Sequence, residues 1–108
     1  MKDNDQKRAW EILKDFRTEI NELDDELMQL IGKRFDIMRK VAVVKDKYEL
    51  PSFLYDRVIQ VRDNAIELGK KYNVNPNFTY GLYTSMIMHS CILEDEEMEK
   101  MNSDIKDK

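Results

Sequence analysis

The sequence predicts an all-α protein: a three-helix subunit with one very long first helix that needs partner helices from another chain. Three observations carry this. Apolar residues from Leu13 to Tyr48 recur at alternating steps of three and four, the period of one helix face. Only three Gly and two Pro occur in 108 residues, and no βαβ pattern is present. A chain of this length is one domain, with a core only if that core is economical or shared between subunits.

The first helix is defined by Leu13, Phe16, Ile20, Leu23, Leu27, Leu30, Arg34, Ile37, Val41, Val44 and Tyr48. All but Arg34 can bury carbon. At 1.5 Å per residue the run spans roughly 50 Å, too long to fold back over its own core. Residues 1–8 are expected to be a flexible N-terminal lead, polar throughout Met1 to Gln6, with the helix starting near Lys7. Trp10 lies outside the stripe and is expected to pack on a neighbouring helix. The helix should stop before Pro51, leaving Asp46 to Leu50 as a loop that could close over a ligand.

Ser52 is the expected N-cap of a second helix whose stripe is Leu54, Val58, Val61, Ala65 and Leu68, packed on the first helix. Arg57 sits beside that stripe near the helix N-terminus, where the dipole favours an anion, and Arg62 reads as solvated surface. Gly69, Lys70 and Lys71 mark a fraying end. Asn75 and Pro76 announce a third helix as N-cap and first-turn residue, with Phe78, Leu82, Met86, Ile87 and Leu93 as its core. Met86, Ser90 and Glu94 follow at intervals of four, a partly polar stripe that a buried face would avoid without a reason. His89 has no second ligand or nucleophile pattern beside it and reads as structural. The compact domain is expected to cover residues 9–97, and 98–108 to form a flexible charged tail.

Charge narrows the function. The net charge is −4, and Lys and Arg are interleaved with Asp and Glu, so a nucleic-acid track is not expected. The lone cysteine, Cys91, offers neither an intrachain disulfide nor metal-ligand spacing. No signal-peptide core and no membrane-length apolar run occurs. A cytoplasmic protein without membrane partner is the default, although an exported protein whose signal has been trimmed reads the same.

The cations on the first helix are more informative. Arg34 and Lys45 are separated by three turns plus about 20°, so both project from nearly one face and can share a ligand. Arg17 lies about 25 Å away along the helix and cannot reach that ligand from the same copy. In an antiparallel pair related by a two-fold axis, Arg17 of one chain reaches the Arg34 and Lys45 end of the other. The plain alternative is an interior Arg34 paired with a carboxylate to fix register.

The ordered set Phe16-Arg17, Ile20-Asn21-Glu22-Leu23-Asp24, Gly32-Lys33-Arg34, Val43-Val44-Lys45 and Asp56-Arg57-Val58, followed by Ser90 and Glu94, resembles the all-helical, type II class of chorismate mutases and the related isochorismate-pyruvate lyases. The resemblance runs from about Ala9 to Glu97. It implies an intertwined homodimer with two sites and a small dicarboxylate substrate, chorismate or isochorismate. It also implies that Arg17 from the partner subunit, Arg34 and Arg57 hold the two carboxylates. Lys45 then donates to the ether oxygen, Glu94 is the second donor there, and Ser90 supports a carboxylate. Catalytic weight would rest on Lys45, Glu94 and Arg34, with no metal and no cofactor.

Three positions depart from the common pattern. Leu54 and Val58 stand where many mutases carry an Asp and a Glu near the ring hydroxyl, and Glu94 stands where a Gln is usual. The related lyases also carry apolar residues near the first two positions. Chorismate mutase is therefore the leading reading and isochorismate-pyruvate lyase the alternative. A non-catalytic helical dimer that binds through its seam, or senses a metabolite, is the third.

Overall fold

The computed structural model describes residues 2–106, in three helices: α1 (Lys2–Lys47), α2 (Tyr55–Lys71) and α3 (Pro76–Lys106). No strand occurs among the described residues, so the all-α, three-helix expectation is borne out. The described residues divide after Arg34 into two units.

The first unit is the N-terminal part of α1. Its helix starts at Lys2 rather than near Lys7, with Asp3 and Asp5 in the first turn, where carboxylates favour the positive end of the helix dipole. Every side chain from Asp3 to Leu30 is exposed. The apolar stripe is present as predicted, yet this chain leaves it uncovered.

In the second unit, α2 packs on α3. The expected packing of α2 on the first helix is not what forms. Gly69 explains the close approach: a Cβ added there would meet the Thr79 hydroxyl oxygen at 2.8 Å. Ala65 of α2 is buried, as is a stripe on α3 made of Thr79, Ile87, Ser90 and Glu94. Phe78 and Leu82, expected in the core, are instead exposed one position behind that stripe. From α1, Ala42 is fully buried, with Phe35, Met38 and Lys45 half-buried at the same three-and-four spacing. Phe35 meets His89 of α3 edge-on at 5.1 Å between ring centres, in keeping with a structural histidine.

The connections correct two expectations. α1 continues through Lys47, so the connection starts at Tyr48 rather than Asp46 and runs on to Leu54. It closes with Glu49 at φ 56° and the Leu50 amide donating to the Lys45 carbonyl at 2.8 Å. Ser52 is not the N-cap of α2. That position is Leu54, without a side-chain cap, because Ser52 is drawn into the interior. α2 ends at Lys71, followed by Asn73 at φ 59° and a Val74 amide that donates to the Gly69 carbonyl at 2.8 Å. Asn75 caps α3 as predicted, its Oδ1 accepting the amides of Asn77 at 2.8 Å and Phe78 at 3.1 Å. Residues 98–106, expected as tail, are helical. They contain neither Gly nor Pro, and Met, Lys and Glu, all good helix formers, make up five of the nine residues. Met1, Asp107 and Lys108, at the ends of the expected lead and tail, lie outside the described residues.

Candidate active site

The polar centre of the second unit is built on Lys45, which the α1 stripe of Phe35, Met38 and Ala42 points toward α3. Its ammonium lies 2.8 Å from Glu94 Oε1 and donates to the Ser52 carbonyl, also at 2.8 Å. The Lys45 side chain is 15% exposed and that of Glu94 only 2%. An ion pair so removed from water is stable only with good geometry and further hydrogen bonds, and the Ser52 carbonyl supplies one. An ammonium has three N–H groups, so beyond the one donated to Ser52 it keeps capacity to donate to a ligand oxygen.

Ser90 lies one turn before Glu94 on the same face and is buried, its hydroxyl donating to the Met86 carbonyl at 2.8 Å. Cys91, one residue on, points its thiol at the Ser52 carbonyl, 3.8 Å away. Burial pushes this thiol up from its usual range and the Glu94 carboxylate pushes the same way, while Lys45 opposes them. Cys91 also lines an apolar groove between α2 and α3, about 370 Å³ in volume, with Phe53, Val58, Thr84 and Ile87 on its walls.

Lys45 and Glu94 are thus brought into direct contact, with Ser90 beside them. Arg57, in the first turn of α2, is exposed and donates to Gln60 Oε1 at 2.7 Å. Arg34 is half-buried near the end of the first unit, and Arg17 is exposed there with its guanidinium over the Trp10 ring. Leu54 and Val58 are half-buried. The sequence reading missed Ser52 and Cys91 as neighbours of Lys45. The signal for Cys91 was its place one turn before Glu94, whereas nothing local marks a backbone carbonyl. Among the described residues, no group of three or more His, Cys, Asp or Glu could hold a metal ion. No described helix is long and apolar enough to cross a membrane.

The family model for chorismate mutase type II matches residues 16–95. The chain belongs to this family. Its matched span begins one residue before Arg17 and ends one after Glu94, so it contains every site residue predicted from the sequence. Among relatives of this type II chain is the chorismate mutase of Methanocaldococcus jannaschii, 27% identical over 90 residues, covering 83% of this chain and 91% of that protein. A 4-amino-4-deoxychorismate mutase of Streptomyces pristinaespiralis is 29% identical over 80 residues, covering 74% and 62%. A bifunctional chorismate mutase/prephenate dehydratase of Buchnera aphidicola is 30% identical over 89 residues. That alignment covers 82% of this chain but 23% of the longer protein, so the chain spans only about a quarter of its bifunctional relative.

Proposed function

We propose that this chain is a chorismate mutase acting as a homodimer, converting chorismate to prephenate for aromatic amino acid biosynthesis. The observation that carries the proposal is the Lys45 ammonium, ion-paired with Glu94 and donating to the Ser52 carbonyl, inside a span that matches the family. The reaction is pericyclic: the carbon–oxygen ether bond breaks as a carbon–carbon bond forms. Catalysis therefore consists of selecting a compact conformer and stabilising the charge that develops on the ether oxygen. Arg34, Arg57 and Arg17 of the partner subunit grip the two carboxylates as forks and restrict the conformers, with Ser90 supporting one of them. Lys45 meets the ether oxygen, and preorganised donors of this kind act without reorganisation cost at the moment of reaction. Glu94 joins it as a second donor when protonated.

The dimer is supported by the uncovered stripe of α1. Leu23 and Leu30 are each 62% exposed in the single chain, and an apolar ridge of this length calls for a covering surface. A second copy laid antiparallel supplies it and brings Arg17 to the other chain's site. The single cysteine and the balanced charge suit a cytoplasmic setting.

Leu54 and Val58 favour a second reading in which the ring substituent near them is not a hydroxyl. The Streptomyces relative is named for a substrate with an amino group at such a position. The test presents purified protein with chorismate, 4-amino-4-deoxychorismate and isochorismate separately and identifies the products. Prephenate from chorismate is expected. Conversion only of the amino compound would select the second reading, salicylate with pyruvate would mean a lyase, and inertness toward all three would reject an enzyme.

A further inference from the structure

We propose that Trp10 is a positioning residue for Arg17, holding its guanidinium in the orientation in which it grips a substrate carboxylate. The inference rests on the role proposed above for Arg17. The two residues are two helical turns apart and share a face of α1, and the guanidinium carbon stands 4.7 Å from the centre of the Trp10 ring. Stacking occupies only the flat face of the guanidinium. The N–H groups around its edge remain directed outward, where a carboxylate can take two of them.

A long arginine on an exposed helix otherwise samples many rotamers and loses that freedom when it binds. A rigid ring beneath it restricts the rotamers beforehand, and this lowers the cost of binding. No hydrogen bond or salt bridge among the described residues competes with the ring for Arg17. Trp10 is itself 59% exposed, so it is not committed to a core within its own chain. It also lies outside the span 16–95 that matches the family. Because α1 carries both residues, they travel together to the other subunit.

The test is a series at Trp10 with Arg17→Ala beside it, assayed on chorismate. Trp10→Ala and Trp10→Leu should each raise KM by roughly two- to fivefold with kcat little changed, since leucine keeps apolar bulk but has no π face. Trp10→Phe, which retains a face, should recover most of the wild-type KM. Trp10 is the only tryptophan, so its emission should also differ between wild type and Arg17→Ala without any ligand. A Trp10→Leu enzyme with wild-type KM, or identical emission spectra, would overturn the inference while leaving the role of Arg17 intact. An Arg17→Ala enzyme with normal kinetics would overturn both.

Discussion

The two units of this chain use the same helix in opposite ways. In the first, α1 presents Leu23, Leu27 and Leu30 to solvent and buries none of its residues from Asp3 to Leu30. In the second, its continuation buries Ala42 completely and carries Lys45 to the almost inaccessible Glu94. The second unit is complete enough to hold a desolvated ion pair, although among the described residues its buried apolar side chains are only Ala42, Ala65 and Ile87. That core is small for a domain of this length, and the exposed stripe of the first unit is the surface available to enlarge it. On the proposed reading, chemistry sits where the chain supplies its own cover and assembly where it does not. Arg17, a proposed site cation on the exposed half, tests whether the halves of two copies join.

The largest effect is expected there. Arg17→Ala and Arg34→Ala should each abolish measurable activity, yet mixing the two proteins under conditions of subunit exchange should restore some. A mixed dimer holds one site with both lesions and one with neither, so its activity should approach about half that of wild type if the sites are independent. A monomer that is fully active, or verified heterodimers that remain dead, would show that the first unit does not complete a neighbouring site.

Next comes Lys45, the link between α1 and the polar centre. Lys45→Ala should lower kcat by on the order of 10² with a much smaller change in KM, as for other preorganised donors. It also leaves Glu94 buried without its cation, a loss that can reach about 3 kcal/mol of stability. Lys45→Ala with Glu94→Gln removes that penalty, so it should melt higher than the single variant and remain as slow. An effect confined to KM would mean that Lys45 only binds substrate.

The same contrast explains what the sequence could reveal. Helix existence was legible because the three-and-four spacing is strong throughout α1, and Asn75 caps α3 because capping chemistry is local. The inward face of α1 was harder to read. Phe35, Met38, Ala42 and Lys45 form a second stripe beside Arg34, Ile37, Val41 and Val44. Periodicity alone favoured the outer one, which runs the full helix and leaves Ile37 and Val44 exposed. Ser52 had every local mark of an N-cap, but its carbonyl is claimed by Lys45, and this tertiary contact displaced the cap to Leu54. The apposition of Lys45 and Glu94 joins residues distant in the chain. Spacing made each a candidate, and only the resemblance to a family linked them.

The smallest effects are expected at Glu94, where two roles must be separated. In the structure Glu94 is ion-paired with Lys45 at 2.8 Å, so it anchors the ammonium. A carboxylate cannot also donate to an ether oxygen, which itself only accepts, and Glu94 can assist there only when protonated. An ionised Glu94 adds a negative charge beside the developing one. Glu94→Gln keeps an oxygen for Lys45 and supplies a permanent N–H donor, so its kcat/KM should exceed that of wild type, whereas Glu94→Ala should be poor. Cys91 gives an independent reading of the charge. Its thiol is pushed up first by burial, second by the Glu94 carboxylate, against the pull of Lys45. Removing the carboxylate should lower it, increase the thiolate present at mildly alkaline pH, and speed alkylation by iodoacetamide roughly two- to fivefold, the burial contribution being untouched. Faster alkylation together with a higher kcat/KM in Glu94→Gln would mean that the charge of the carboxylate is what slows the wild-type enzyme. Faster alkylation with kcat/KM below wild type would leave Glu94 as the anchor of Lys45 and remove it from the ether oxygen.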